Sequence, residues 1–557
     1  MVGESLRQPT LAFPPFCGKI LFVSRLHSVW DRSVTFFERI IGIIIFLCLA
    51  SLGYLGLRQM WKSHQGRVLS LTLIALFLLF LPQCLSGPYW KGDEIMNFSS
   101  AIAGLFSRDF DLVIYPHPAL FFNVLIFIYS SMFSLVSDLS SRPFISTGAH
   151  LLVHHHVDML VIARVIALAF WCATCGLLAH IVQKLTKDTF AGVVALLLLA
   201  TLHESYATQF SPYPAGVFFA YLLLFITVTR KGLSRSWLLA GLLSGLAISS
   251  HYLSFWFFVW SFLVFLKDKT SGGFRKVALL CVMASLVFLI TNFQIAFHYD
   301  DYLAFIRYRW SEVLSFDAHA TYEPAHRSSP FLFLRLLMRR DYVSLFALFG
   351  GLCALVFAVT GRAKESLHFL LFAIFLLVVL SLPETRFEQY ILFLWPSVVL
   401  LCAFFISVFR KAFPRIGILL GVLMVITNWS STLTDQTIPF LREDSHLQRH
   451  DPLNTITHTI SSIRDPNSVV TVSSGYIAPL SRAISEDRVL TDFAGRLTSS
   501  LFYRFGREVQ WGTPKASKYH LQVEWMPQDI LIQVPKGFVL QDFKRDKNVM
   551  FILFSRL

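Results

Sequence analysis

Two adjacent carboxylates, Asp93 and Glu94, follow the apolar run 69–86, and His117 stands just before the next apolar run. Carboxylates at the mouth of a membrane helix are costly unless they bind or react with something. Asp93 is therefore a candidate general base, with Glu94 orienting an acceptor, and His117 is a candidate phosphate contact. The alternatives are a solvated helix N-terminus for the acidic pair and a simple interfacial histidine for His117.

The segment 94–107, between these groups, has helical spacing. Ile95, Phe98, Ile102 and Leu105 lie on one apolar face of the predicted helix. A helix of this kind suits the membrane interface. Two prolines flank His117 and stiffen the turn that holds it, because proline fixes its own backbone angle.

The composition identifies a membrane protein. Of 557 residues, 55% are hydrophobic and 15% are charged, whereas an ordinary soluble domain has about 25% charged residues. Apolar runs recur along the chain, and we predict a multi-spanning α-helical membrane protein with about 11–13 transmembrane helices. The predicted spans are 39–57, 69–86, 161–182, 189–204, 213–229, 237–250, 252–266, 276–296, 342–360, 367–382, 389–408 and 413–427.

The net charge of +14 does not indicate a nucleic-acid partner. Most Lys and Arg residues occupy every second turn between apolar runs, as expected for cytoplasmic loops, and the alternate turns are then external. Asp93 and Glu94 fall outside only if a further apolar run, 118–136, does not fully cross. We therefore interpret 118–136 as a juxtamembrane or re-entrant element. The orientation of the tail 1–38 stays open.

We predict three regions: the N-terminal tail 1–38, a transmembrane module 39–429 and an external soluble α/β domain 430–557. Within the module, 87–160 is the predicted catalytic loop with juxtamembrane helices, and 297–341 is a second external loop. The polar C-terminal region has short β-type runs separated by turn residues. These runs are 468–473, 488–491, 529–534 and 548–554.

Several motifs in order resemble those of the GT-C membrane glycosyltransferases. The acidic pair and the interfacial helix precede Tyr-Pro-His-Pro-Ala-Leu at 115–120, and Arg164 follows in the next helix. The resemblance is nearest to the protein O-mannosyltransferase and aminoarabinose-transferase-like branch and covers residues 80–430. Its later motifs are YATQFSPY at 206–213, GLLSGLAISSHY at 241–252 and ETRFEQYILFLWP at 384–396.

The resemblance implies a polyprenyl-phosphate-linked sugar donor and direct displacement at the anomeric carbon, with Asp93 as the base. It implies an active site on the non-cytoplasmic face of a bacterial inner membrane or an endoplasmic reticulum membrane. The candidates for donor phosphate and lipid binding are His117, Arg164, Arg386 and Tyr390. The candidates for the substrate groove are Tyr115, Tyr206, Tyr213, His251, Arg307 and Tyr322.

Some alternatives stay open at this stage. The acceptor is a glycan, a lipid or a protein, and membrane lipids are further partners. No metal-ligating side chains are expected, since a solvated loop explains the histidines at 154–156, but Mg²⁺ or Mn²⁺ is not ruled out as a cofactor. Arg164 either snorkels or serves the lipid phosphate. Asn97 and Asn428 begin glycan-acceptor motifs of high chance frequency. The competing function is a transporter or flippase, which the lack of two matching six-helix halves disfavours.

Overall fold

The structure is a computed structural model and describes most of the apolar part of the chain together with a C-terminal sheet. The described residues are 64–85, 97, 101, 105, 118–140, 144–201, 210–229, 236–267, 273–297, 299–300, 302–303, 306–307, 337, 341–359, 364–382, 388–432, 463, 470–474, 509–511, 517–525, 534–546 and 549–556. The predicted span 39–57 lies outside them.

Twelve long helices occur in the described part of the chain. In chain order they are α1 His64–Leu85, α2 Leu120–Ser140, α3 Phe144–Thr186, α4 Thr189–Thr201, α5 Tyr213–Thr229, α6 Ser236–Ser250, α7 Phe255–Leu266, α8 Gly273–Thr291, α9 Asp341–Val359, α10 Lys364–Ser381, α11 Trp395–Ala412 and α12 Pro414–Thr432. Short helical segments at Tyr252–Ser254, Gln294–Phe297 and Glu388–Phe393 lie between them. Apart from the undescribed run 39–57, each predicted span corresponds to a helix.

The chain is a multi-spanning α-helical membrane protein. Five described segments have the length and composition of a membrane span: 66–85, 120–140, 159–186, 274–291 and 395–412. Seven further apolar helices are shorter, including α4 with 13 residues and α6 with 15.

The helices pack closely where glycine lines their contacts. Gly241 and Gly245 of α6 face α8, and a Cβ atom on either would come within 2.7 Å of Met283 or Val287. This spacing of two glycines four residues apart is the small-residue pattern of membrane helix pairs. Gly241 meets Met283 and Gly245 meets Val287, so the residue numbers increase in the same direction along both helices. Helices α6 and α8 are therefore parallel and end on the same side of the bundle.

Helix α2 forms a hairpin with the first half of α3. The two helices are joined by three residues, and the Tyr129 hydroxyl donates to the backbone oxygen of Met159 over 2.7 Å. Helix α3 has 43 residues, which corresponds to a length of about 64 Å, twice the apolar core. Its second half runs parallel to α5, as shown by the contacts of Phe170 with Phe218 and of His180 with Phe225.

This pairing decides the direction of α2. Helix α2 begins at the end of the bundle where α6 and α8 end. From there it runs alongside the first half of α3, which extends past the start of α5. By length and composition alone, Leu120–Ser140 has the features of a membrane span. Its contacts instead agree with the first of the two predicted alternatives, a juxtamembrane element. It is a continuous helix of 21 residues and not a re-entrant loop.

The C-terminal region contains a five-stranded mixed sheet. Its strands are β1 Val470–Ser474, β2 Val509–Trp511, β3 Tyr519–Trp525, β4 Phe538–Asp546 and β5 Val549–Arg556, in the spatial order β2-β1-β3-β5-β4. Strand β1 pairs in parallel with β2 and β3, and the other two pairs are antiparallel. The predicted runs 468–473 and 548–554 correspond to β1 and β5. The run 488–491 and nearly all of 529–534 lie outside the described residues.

Candidate functional site

Three of the residues singled out from the sequence meet at one end of the bundle. Tyr213 begins α5, His251 follows α6, and Tyr390 lies in the 3₁₀ helix Glu388–Phe393. The ring centroids of Tyr213 and His251 are 4.3 Å apart, and the Tyr390 ring lies 6.4 Å from Tyr213 and 6.3 Å from His251. We call these three residues the Tyr-His-Tyr cluster.

The backbone around His251 fixes the orientation of its imidazole. His251 is the N-cap of the turn Tyr252–Ser254, and its Nδ1 accepts a hydrogen bond of 3.1 Å from the backbone N–H of Leu253. A neutral imidazole that accepts at Nδ1 carries its proton on Nε2. His251 therefore offers an Nε2–H donor, and it is 3% exposed.

Gly216 makes the close approach of α5 to His251 sterically feasible. A Cβ atom at residue 216 would lie 2.7 Å from the Cβ atom of His251 and 3.3 Å from the ring of Phe393. Phe393 is fully buried, and its ring lies 5.1 Å from the His251 ring. Nothing in the sequence motifs had marked Gly216 or Phe393, although Phe393 lies inside the segment 384–396.

A network of buried amides ties α2 to the end of α8 beside this cluster. Asn292 Oδ1 accepts a hydrogen bond of 2.6 Å from the N–H of Ala119, at the start of α2. In return, Asn123 of α2 donates through Nδ2 to the carbonyl of Thr291, the last residue of α8. Each helix therefore caps the other, because helix termini leave backbone groups without partners. Gln294 also bonds Asn123.

The same network reaches α6 through Ser249. Its hydroxyl accepts from Asn292 Nδ2 over 2.9 Å and from the Thr291 hydroxyl over 2.6 Å. Ser249 lies two residues before His251, so the start of α2 and the turn that carries His251 are held by one set of hydrogen bonds.

Three described residues of the segment 94–107 lie at this same end. Asn97 donates through Nδ2 to the carbonyl of Phe210 over 2.9 Å. Ala101 and Leu105 are buried in the same apolar cluster as Phe121 and Phe122. All three are helical. Their spacing of four residues agrees with the predicted helix in this segment, and Leu105 of the predicted apolar face is buried. Ile95, Phe98 and Ile102 lie outside the described residues.

The sequence-predicted residues divide into described and undescribed groups. Arg164 is 2% exposed. Snorkelling would place its guanidinium in water, so that alternative is excluded. A guanidinium so buried is stable only with polar partners or an anion. Arg307 is exposed. Asp93, Glu94, Tyr115, His117, Tyr206, Tyr322 and Arg386 lie outside the described residues. No group of three or more metal-ligating side chains is found among the residues that the structure describes.

Tyr302, which no sequence motif indicated, lies close to the cluster. Burial raises the pKa of Tyr302, and an opposing, smaller effect comes from its hydrogen bond with Tyr252, the residue after His251. The phenol is therefore neutral at ordinary pH and retains its proton for donation.

The two predicted glycan-acceptor asparagines are buried. Asn97 is 1% exposed and bonds Phe210, and Asn428 is fully buried in α12, where it bonds Thr201 and Leu198. A glycan on either side chain is incompatible with these contacts.

Comparison with known proteins gives matches by structure alone. No family model and no curated sequence matches the chain. The aminoarabinose transferase ArnT from Cupriavidus metallidurans, in a crystal structure with undecaprenyl phosphate, superimposes with a TM-score of 0.50 at 13% identity, covering 88% of this chain and 98% of ArnT. The apo state gives 0.46 at 12%, covering 87% and 97%. AglB from Archaeoglobus fulgidus, an archaeal oligosaccharyltransferase in complex with an inhibitory peptide and a dolichol-phosphate, gives 0.40 at 10%, covering 81% and 69%.

The first of these matches shows that the chain shares the fold of ArnT, a GT-C fold, over most of its length. The resemblance to GT-C membrane glycosyltransferases that the sequence motifs indicated is therefore confirmed at the level of the fold. At 13% sequence identity the match shows the fold of this chain and gives no information on its substrate.

Proposed function

We propose that this protein is a membrane glycosyltransferase that moves a sugar from a polyprenyl-phosphate donor to a hydroxyl acceptor. The convergence of Tyr213, His251 and Tyr390 is the observation that carries the proposal. Three side chains with N–H or O–H donors meet at one end of a bundle of apolar helices. A lipid phosphate needs hydrogen-bond donors, and its chain needs an apolar surface. ArnT, whose fold the chain shares, is bound to undecaprenyl phosphate in its crystal structure.

In the proposed reaction, the acceptor oxygen attacks the anomeric carbon of the donor sugar. Asp93 takes the acceptor proton, with Glu94 orienting the acceptor. The bond between the anomeric carbon and the phosphate oxygen breaks, and the polyprenyl phosphate leaves with the electron pair. Negative charge grows on that phosphate in the transition state, so donors already fixed in place stabilise it most.

The described residues supply those donors. The Nε2–H of His251 and the hydroxyl of Tyr390 are assigned to the leaving phosphate, and the Tyr213 ring packs against His251 at a tilt and holds its ring. Arg164, which is buried in α3, stays a proposed contact of the same phosphate. His117 and Arg386 stay proposed phosphate contacts, and Tyr115, Tyr206, Arg307 and Tyr322 stay proposed groove residues. A divalent cation stays an open addition to this set.

The test uses the purified full chain with a radiolabelled polyprenyl-phosphate sugar. Asp93→Asn is expected to abolish transfer while leaving the protein folded. Tyr390→Phe is expected to lower kcat by about tenfold to a hundredfold, since one donor to a developing oxyanion is lost. Tyr299→Phe, an exposed tyrosine in the external region, is the matched control and should leave kcat unchanged.

Two results would overturn the proposal. Full activity of Asp93→Asn would remove the assigned base. Solute movement across liposomes, with no consumption of any polyprenyl-phosphate sugar, would instead establish a transporter.

A further inference from the structure

Five cationic side chains gather at the end of the bundle opposite to the Tyr-His-Tyr cluster. Helices α3 and α11 end here, and α4 and α12 begin here. The Lys411 ammonium donates to the backbone oxygen of Thr186 over 2.7 Å, and Arg410 binds Asp188, so the two helix turns are joined directly. The five cations are Lys184, Lys187, Arg410, Lys411 and Arg415.

The two helix turns that carry these five cations contain one carboxylate. Asp188 is the sole acidic residue within 180–192 and 407–418, and it is 1% exposed. Its Oδ1 accepts from Arg410 Nη2 over 2.9 Å and from the N–H of Ala191 over 3.2 Å, and its Oδ2 accepts from Arg410 Nε over 3.0 Å. The negative charge of Asp188 therefore neutralises the positive charge of Arg410 and leaves none for the other four cations. The exposed cations Lys184, Lys187, Lys411 and Arg415, which we call the basic corner, keep a net charge of their own.

Lys187 has a backbone that disfavours lysine. Its φ of 58° is the one positive value at a non-glycine position among the residues that the structure describes, and its N–H donates to the carbonyl of Gln183 over 2.9 Å. This is the left-handed position after a helix C-terminus, where glycine or asparagine is preferred because a Cβ atom is strained there. If this position served only to cap the helix, glycine would be favoured. The lysine therefore indicates that its positive charge has a function here.

The basic corner lies beside exposed apolar side chains. Phe413 and Ile416, at the junction of α11 and α12, are 54% and 50% exposed. Cations next to outward-facing apolar groups at a helix end stand where the acyl chains of a bilayer meet the phosphates. Four ammonium and guanidinium groups at this level match a phosphate that carries a net negative charge.

We propose that the basic corner binds the head group of an anionic phospholipid. The phosphate would lie among Lys187, Lys411 and Arg415, and the acyl chains would follow Phe413 and Ile416 along α12. This site is independent of the proposed sugar transfer, which takes place at the other end of the helices.

The test measures lipid bound to the detergent-purified full chain by native mass spectrometry. Phosphatidylglycerol and phosphatidylcholine with identical acyl chains are offered in equal amounts, and the wild-type chain is expected to retain phosphatidylglycerol in preference. Combining Lys187→Gly, Lys411→Gln and Arg415→Gln should weaken that retention by about tenfold or more. Lys187→Gly alone should weaken it while keeping or raising the melting temperature, because glycine relieves the left-handed strain.

The matched control is Arg275→Gln combined with Lys276→Gln. Both residues lie in the first turn of α8, which begins at the same end of the bundle outside the basic corner. Unchanged lipid retention in this control, together with loss in the triple variant, supports a defined site. Equal loss in both, no preference of the wild type for the anionic lipid, or displacement of the lipid by an equal concentration of inorganic phosphate would each overturn the proposal.

Discussion

The Asn292 side chain lies 2.6 Å from the backbone nitrogen of Ala119, although 173 positions separate the two residues. This hydrogen bond attaches the first turn of α2 to the turn that ends α8. Since Ser249 joins the same network two residues before His251, the bond couples the start of the juxtamembrane hairpin to the Tyr-His-Tyr cluster.

Asn292→Ala is expected to lower the free energy of unfolding by about 1–3 kcal/mol, because the Ala119 N–H would be left buried without its acceptor. The measurement is the shift in melting temperature of the purified protein. Ser140→Ala is the control, since the Ser140 hydroxyl is exposed and bonds the carbonyl of Val136 within its own helix. Equal shifts in the two variants would contradict the assigned role of Asn292.

Gly216→Ala is expected to impair the proposed site more than the fold. The added methyl group would meet the Cβ atom of His251 at 2.7 Å, an atom fixed close to the backbone, so His251 has to move. We expect a clear drop in transfer rate from a labelled polyprenyl-phosphate sugar. Gly351→Ala is the matched helical control, because its methyl group would meet the flexible end of Leu370 at 3.0 Å. A normal rate in Gly216→Ala would show that the position of His251 is not critical.

Tyr221→Phe is expected to destabilise the joint between α5 and α11. The Tyr221 hydroxyl bonds the carbonyl of Phe393 over 2.7 Å and the Ser397 hydroxyl over 2.6 Å, and it accepts from the Ser397 N–H over 3.1 Å. Removing it leaves buried partners unsatisfied, at a cost of about 1–3 kcal/mol.

Tyr129→Phe serves as the comparison for this joint. That hydroxyl is equally buried but makes the single bond to Met159 described above. Thermal unfolding should therefore rank Tyr221→Phe as the more damaging change, and the reverse order would contradict the assignment.

Asp188→Asn is expected to weaken the joint between the α3–α4 and α11–α12 turns. The substituted amide would keep a cap for Ala191 but would lose the charge that faces Arg410, which is 33% exposed. A double-mutant cycle with Arg410→Gln isolates the pair, and we expect a coupling of about 0.5–3 kcal/mol that favours the native pair. High salt should reduce this coupling little, because Asp188 is shielded from water. Zero coupling would indicate that the cap alone is stabilising.

The C-terminal sheet illustrates which patterns local sequence reveals. Strands β1 and β5 were predicted, because each is a compact apolar run next to turn residues. Strand β4 was missed, since Val539 and Leu540 are both exposed and the strand carries a register shift between Leu540 and Asp542, so no simple alternation results. Strand β2 has three residues and gives too short a signal. Strand β3 does alternate from Tyr519 to Trp525, and that pattern was available in the sequence.

The sequence by itself determined the membrane class, the helix positions and three members of the candidate site. Long apolar runs must form helices in a bilayer, because every backbone group has to be satisfied within its own segment. That requirement is local, so it can be read along the chain.

Only the tertiary structure decided which residues meet and which way α2 runs. Tyr213 and Tyr390 are 177 positions apart, and their contact depends on how packing places α5 and the 3₁₀ helix before α11. The run 118–136 is apolar enough to cross a membrane, and its pairing with the first half of α3 is what directs it away from the bundle. Composition measures the preference of a segment for lipid, whereas its partners are set by shape and by buried hydrogen bonds, which a single chain pattern does not encode.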